Sequence, residues 1–353
     1  MRRLATLAMA LVWVAPVTAQ TAPVTAPVTA QVAARAETVP VGTANDDAAD
    51  DPAIWRNAAR PAASLIVATD KKAGLYVYGL DGKVKSFTPA GRVNNVALVD
   101  MGADMGRAGV IVAASDRNDE ANAKIQLYRL DPRSGALTGL GAVAGGAGEG
   151  YGLCLWREGR ALNAYSVLKH GAVHHVWITL DGTPTGTEVR KLQLATQTEG
   201  CVVDPRSKTL YVGEEGRGVW AFDARANGPI DGRLVVEVDN RQLVADVEGL
   251  GIVTLGRRAG WLIVSSQGDN AFALYSLPDY RALGRFRIGA GAFGSVEETD
   301  GIEVHKGSFG RDYPGGLFVA QDGHNEPAAQ NFKLVSWRDI LRAVTPENED
   351  QQQ

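Results

Sequence analysis

Residues 195–205, ATQTEGCVVDP, place Glu199 and Gly200 directly before a short apolar run. A buried strand needs no charge at its start, so one such acid reads most simply as a turn residue beside a flexible glycine. The pattern, however, recurs. An acid or amide, a small or polar residue and then an apolar strand stand in DDPAIW from Asp50, NNVALV from Asn94, EGYGLCLW from Glu149, TEGCVV at Glu199, VEGLGIV at Glu248 and TDGIEV at Asp300. Each copy is followed by a second motif, two apolar strands around a polar turn, as in SLIVATDKKAGLYVYGL, TLYVGEEGRGVWAFDA and WLIVSSQGDNAFALYSL. Successive copies lie roughly 45–55 residues apart, the period of a four-stranded propeller blade. Six copies predict an all-β, six-bladed β-propeller of mostly four-stranded antiparallel blades. A β-sandwich would give shorter spacing and no six-fold recurrence.

Helical periodicity is weak outside the N-terminal leader and SWRDILRAV near the C-terminus. The propeller is expected over residues 46–344, with 345–353 a solvated tail. The leader MRRLATLAMALVWVAPVTAQ sets two arginines before an apolar run too short to span a bilayer and ends in small residues. It reads as a signal peptide over 1–19, cleaved after Ala19, so the protein is expected to be exported, periplasmic or secreted. Residues 20–45, rich in Ala, Pro, Thr and Val, read as a disordered linker. Cys154 and Cys201 are either a disulfide, which export permits, or two buried thiols.

The chain has 353 residues, 45 % of them hydrophobic and 22 % charged, with 41 glycines, enough for a sizeable core with many tight turns. With a net charge of -4, no lysine- or arginine-rich run and no further segment apolar enough to cross a bilayer, neither a nucleic-acid nor a membrane partner is expected. A monomer is expected. An anionic substrate must then be met by local cations or by bound metal.

Propeller topology supplies both. First strands line the central channel, so Asp50, Asp51, Glu199, Glu248 and Asp300 converge at one mouth if they occupy corresponding ends, with Asp246 and Glu215 nearby. Clustered carboxylates repel one another unless a cation intervenes, and a ring of hard oxygens suits Ca²⁺. The turns of the second motif carry the opposite charge: Lys71 and Lys72 in TDKKAG, Arg117 in SDRND and Lys169 in VLKHG. Cations at equivalent turns of successive blades form a wall for a phosphate, and cations beside a metal cluster are what phosphoryl transfer needs. Other chemistries fit less well. No G-x-S-x-G elbow is present, His174 and His175 point to opposite faces of a strand, and the cysteines lack zinc spacing.

In this order from about Asp46 to Trp337, DDPAIW, TDKKAGLYVY, VNNV, YGLC, TQTEG, GEEGRGVW, DVEGL, SSQGDN, ETDGIEV, YPGGLFVAQDG and QNFKLVSW closely resemble the β-propeller phytases. These are calcium-dependent enzymes that release phosphate from myo-inositol hexakisphosphate. The resemblance implies a calcium cluster at the channel mouth, a phosphate site for cleavage and an adjacent one for affinity. It implies that Asp50, Glu199, Glu215, Glu248 and Asp300 hold the active-site calciums, with Asp246 and Gln267 in the same shell. Lys71, Arg117 and Lys169 would contact phosphate, Tyr151 would position it, and Lys72 would serve the second site. Asp51, Asn94, Asp322 and Asn331 match structural-calcium or shell positions. Two departures stand out: His170 follows Lys169 where the family has an acid or amide, and Ala97 replaces an Asp. The implied chemistry is direct attack of a calcium-activated water on phytate, bound as its calcium complex, without a phosphoenzyme. The competing readings are a lactonase-type propeller and a calcium-stapled binding module.

Overall fold

The computed structural model describes residues 28–44, 47–102 and 109–345. The signal peptide over 1–19, the first part of the expected linker and nearly all of the expected tail lie outside the described residues. Six sheets stand in a ring. Their innermost strands are Ala49–Trp55, Val93–Asp100, Gly150–Glu158, Thr198–Asp204, Val247–Leu255 and Ile302–Lys306, and each packs against its counterparts on both sides, the last against the first. These open blades 1 to 6. Every blade then runs outward hairpin by hairpin; blade 1 continues through Leu65–Asp70, Gly74–Gly79 and Val84–Pro89. The protein is a six-bladed β-propeller, and the repeat in the sequence is the blade.

Each blade is covered on both faces, so its middle strands need apolar residues on both sides rather than an alternating pattern. Leu65–Asp70 and Val110–Asp116 are accordingly buried along their whole length. Apolar clusters fill the faces between neighbouring blades: Val67, Val77, Val96 and Val112 join blades 1 and 2. Between blades 5 and 6, Phe272, Phe286 and Phe318 pack with ring centroids 5.0–5.4 Å apart. Cys154 and Cys201 form a disulfide, Cα–Cα 5.8 Å, which joins the inner strands of blades 3 and 4.

Blade 6 is built from only three consecutive strands, Ile302–Lys306, Gly316–Asp322 and Asn331–Ser336, which leaves its outer edge open. The expected linker closes it. Ala36–Glu37 pairs antiparallel with Asn331–Ser336, and Thr29–Ala33 pairs in parallel with Ala282–Gly289 as a fifth strand of blade 5. Disorder over 20–45 is therefore corrected for this part. Its composition is of low complexity, but two unpaired sheet edges offer it a full ladder of backbone partners. Arg35 adds hydrogen bonds to Asp339 at 2.6 and 2.9 Å. Asp339 belongs to the C-terminal helix Trp337–Val344, which starts where expected and is N-capped by Ser336.

Candidate active site and metal centre

The inner strands share a defect at their first residues. In blades 1 to 5 the pairing with the second strand slips between Ala49 and Pro52, Val93 and Val96, Gly150 and Leu153, Thr198 and Cys201, and Val247 and Leu250. Two residues stand there opposite one, a β-bulge, which re-aims side chains out of the sheet. The bulge pairs are Asp50-Asp51, Asn94-Asn95, Tyr151-Gly152, Glu199-Gly200 and Glu248-Gly249, and in blade 6 Asp300-Gly301 occupies the same place just before Ile302. The first member of each pair supplies a ring at the channel mouth. Blade 3 corrects the repeat read from sequence by two residues, since Tyr151 and not Glu149 stands where Glu199 stands in blade 4. The glycines serve close approach. A Cβ on Gly200 would lie 2.2 Å from the Glu248 carbonyl oxygen, and one on Gly152 would lie 1.9 Å from that of Glu199.

A second ring lies above the first. The residue immediately after each second strand is Lys71, Arg117, Lys169, Glu215, Gln267 and Gly323 in blades 1 to 6. One backbone hydrogen bond fixes each of them. Their amides donate to the carbonyls of Ala48, Arg92, Glu149, Gln197, Asp246 and Glu297 at 2.6–3.2 Å. Blades 1 to 3 thus present cations and blades 4 and 5 a carboxylate and an amide at one equivalent position.

Carboxylate oxygens of Glu199, Glu215 and Glu248 all lie within 4.8 Å of one another, and the three residues are buried. Asp50 is wholly buried. Burial first, then repulsion from Asp300 and Asp47, pushes its carboxyl up to about 7 against the opposing pull of Lys71. Burial likewise raises Glu215 to about 7, with Asp246 and Asp300 adding to the rise. Glu199 and Glu248 are driven well above the carboxylate range by burial and then by their acidic neighbours. Among the described residues, Oε1 of Glu215, Oε2 of Glu248 and Oδ1 of Asp50 have no hydrogen-bond donor directed at them, and Asp50 Oδ2 meets only the Lys71 ammonium. Buried carboxylates aimed at one another with orphaned oxygens fit a divalent metal, which supplies the missing positive charge. Asp50, Glu199, Glu215, Glu248 and Asp300 would hold it, with exposed Asp246 at the rim and Gln267 fixing Asp300 Oδ1 at 2.6 Å.

Lys71 joins the carboxylates more than it faces a free phosphate. Its ammonium lies 3.1 Å from Asp50 Oδ2 and 2.9 Å from Asp300 Oδ2, and it also bonds Asp47. Arg117 donates to Asn94 and Glu149, and Asn94 Nδ2 in turn donates to Glu199 Oε1 at 2.9 Å. Asn94 therefore links the cationic side to the acidic side. The Tyr151 ring lies 5.6 Å from the Arg117 guanidinium and 5.0 Å from the Lys169 ammonium. Burial, then Glu199 and Glu248, pushes its hydroxyl far up, so it stays a protonated donor. Lys72, next to Lys71, is exposed.

Three site residues escaped the sequence reading. Asp47 and Glu149 restrain Lys71 and Arg117, and Gln197 bonds Tyr151 Oη at 3.4 Å and the Glu215 carboxylate. Gln197 was visible only as part of TQTEG. Two other expectations change place. Asp51, the second member of its bulge, turns away from the mouth and accepts from the Val96 amide at 3.0 Å inside the channel. Asp322 and Asn331 face the ammonium of Lys333, at 3.0 and 2.9 Å, which also meets Glu37 at 2.6 Å and Asn325 at 3.0 Å. Their cation is the chain's own, so they do not join the cluster at the mouth.

A family model described as Phytase matches residues 1–353. The chain is 37 % identical over 323 residues to a 3-phytase of Bacillus subtilis (strain 168), covering 88 % of this chain and 84 % of that protein. A solved structure of BBS1N in complex with ARL6DN, soaked with lead, superposes over 78 % of this chain and 74 % of that one at 14 % identity, with a TM-score of 0.46. That likeness is too low to bear on the fold. The family match and the Bacillus relative agree with the two rings at the mouth: the chain belongs to the phytase family.

Proposed function

We propose that this phytase releases phosphate from myo-inositol hexakisphosphate with calcium held by Asp50, Glu199, Glu215, Glu248 and Asp300. The observation that carries the proposal is the second ring, where Arg117 and Lys169 stand across one mouth from Glu215 over a floor of buried carboxylates. Bound calcium supplies Lewis acidity, neutralising phosphate charge and making water a better nucleophile at neutral pH. The chain's own residues do the rest. Arg117, oriented by Asn94 and Glu149, presents its guanidinium to phosphate oxygens, and Lys169 adds a mobile positive charge beside it. Tyr151 donates a hydrogen bond from between them. Lys72, exposed, takes a neighbouring phosphate of the same polyanion, and the calcium complex of phytate is the form whose charge the acidic half of the mouth tolerates. Read as a signal peptide, residues 1–19 make the enzyme an exported one, a proposal checked by N-terminal sequencing of the protein recovered from envelope or medium.

The test is phosphate release from phytate before and after chelation with EDTA, followed by calcium add-back. No release in calcium-replete buffer would sink the proposal. Glu215→Gln should abolish turnover and keep most of the calcium-dependent rise in Tm, since Glu199, Glu248 and Asp50 still offer oxygens. Turnover at the level of the unaltered enzyme would show that the carboxylate cluster is not the catalytic one.

A further inference from the structure

The end of the propeller opposite the mouth is lined by the hairpins that connect first and second strands. Their unpaired cations are spread through the sequence, one or two on each of four blades, and the fold gathers them at one end. Arg60 stands in blade 1, Arg160 in blade 3, Arg257 and Arg258 in blade 5 and Lys306 in blade 6, all exposed and without an ion pair among the described residues. The carboxylates described on these hairpins are already engaged. Glu158 pairs with Lys208 at 2.6 Å, Asp204 with Arg206 at 2.8 Å, and Asp312 with Arg311 at 3.5 Å, while Asp100 accepts from the Gly102 amide at 2.8 Å. Lys208, Arg206 and Arg311 match the acids they pair with, and Arg157, which donates to the Asp100 carbonyl at 3.3 Å, offsets the charge of Asp100, so the five free cations set the charge of this end. The outer hairpins there set acid beside base, Asp131 with Arg133, Asp223 with Arg225 and Asp279 with Arg281. Asp181 and Asp231 add negative charge only further out.

A chain of net charge -4 thus carries a positive ring at the end remote from its acidic mouth. We infer that this ring docks the enzyme on an anionic phospholipid surface, with the mouth turned away from it toward soluble substrate. The arrangement decides between polyanions. Cations on separate blades around a ring match a plane of laterally mobile head groups, whereas a nucleic-acid strand needs a continuous track with aromatic platforms. The exposed aromatic side chains, Phe87 and Trp177, lie on outer strands and not on these hairpins. Among the described residues no helix is long and apolar enough to cross a membrane; the proposed contact rests on the five cations and is electrostatic.

The experiment is co-sedimentation of the full chain with vesicles of phosphatidylcholine alone or with about one third phosphatidylglycerol. Binding to the anionic vesicles only is expected, and it should vanish at about 0.5 M salt, where the Debye length falls to a few ångströms. Replacing Arg60, Arg160, Arg257, Arg258 and Lys306 by Gln should weaken binding by about three thousandfold, at about fivefold per surface cation. Phytate turnover in solution should be unchanged, because none of the five lies near the mouth. Replacing Arg133, Arg225 and Arg281 on the outer hairpins should leave binding intact. Equal binding by the five-site variant, equal binding to neutral vesicles, or tighter binding to a single-stranded oligonucleotide than to anionic vesicles would each overturn the inference.

Discussion

Lys333→Met should be among the most damaging single substitutions outside the active site. The ammonium of Lys333 has no exposed surface and sits among Glu37 Oε2 at 2.6 Å, Asp322 Oδ2 at 3.0 Å, Asn331 Oδ1 at 2.9 Å and Asn325 Oδ1 at 3.0 Å. Burial pushes the Asp322 carboxyl up and Lys333 is the main group holding it down. Without the ammonium, a carboxylate with 1 % exposure is left uncompensated. Removing one partner of such a pair costs about 3–5 kcal/mol. In a chain of this size that corresponds to a Tm lower by about 5–10 °C. The loss falls at ring closure, because Glu37 lies on the strand that completes blade 6. The double variant Lys333→Met with Asp322→Asn should recover more than half of it, since both buried charges are then gone and Glu37 is partly solvated. The gap between Lys333→Met and the parent should also narrow as pH falls and Asp322 protonates. Thermal and urea unfolding of the three proteins give the answer. A single variant as stable as the parent, or a double variant no better than the single, would refute the reasoning that the buried charge is what costs.

Replacing both Cys154 and Cys201 by Ser should lower stability by about 4 kcal/mol in the chain-entropy model, given a sequence separation of 47; urea unfolding with and without reductant checks it, and reductant should affect the parent and not the variant. Gly200→Ala pushes a Cβ to 2.2 Å from the Glu248 carbonyl oxygen, so the two bulges must part. A stability loss of about 1–3 kcal/mol is expected together with reduced turnover, since Glu248 moves with its backbone; an unchanged Tm and rate would show that the mouth has slack. The metal-free fold should lose stability as pH rises. Asp50 and Glu215 have folded pKa values of about 7 against ordinary values of 3.8 and 4.5, so the folded state binds more protons than the unfolded one across that window. The EDTA-sensitive part of Tm should therefore grow from about pH 4.5 to 7 and level off above; a gap independent of pH would contradict this.

The repeat carried the fold in plain view because every blade solves the same packing problem, and its apolar strands recur wherever a sheet must be covered on both faces. Less legible was what interrupts the repeat. Blade 6 runs out of strands, and the segment that completes it lies nearly three hundred residues earlier in a stretch whose composition argues for disorder. In blade 3, Glu149 looks like the repeating acid, but the bulge register puts Tyr151 in the ring and frees Glu149 to hold Arg117. A register of this kind depends on strand pairing, which spacing alone does not fix. The role of Gly200 was half legible: glycine is required, though for the approach of the next blade's carbonyl and not for a turn. The basic far end was invisible for a simpler reason. One or two arginines per hairpin, tens of residues apart, never form a run, and only the ring makes them neighbours.

The same symmetry explains how one scaffold holds both halves of the chemistry. Each position of the second ring is fixed by a main-chain hydrogen bond to the segment that leads into the inner strand of the same blade, and that bond is indifferent to the side chain. Lys71, Arg117, Lys169, Glu215, Gln267 and Gly323 can therefore differ completely in charge without disturbing the backbone that places them. Opposite charges set on facing blades of a rigid ring cannot collapse onto one another as they would on a flexible loop. Part of the acidic half is already satisfied: Lys71 reaches Asp50 and Asp300. Glu199, Glu215 and Glu248 have no such ammonium and keep orphaned oxygens or strongly raised pKa values. The division follows from side-chain reach: a single ammonium, Lys71, offsets only part of the charge of Asp50 and Asp300 in blades 1 and 6 and bonds none of the acids of blades 4 and 5, so the five carboxylates together still call for a metal. Without that residual negative charge the mouth would have no affinity for a cation, and without Arg117 and Lys169 opposite it no affinity for a polyanion. The two requirements are met at once only because the repeat is exact in backbone and broken in side chain.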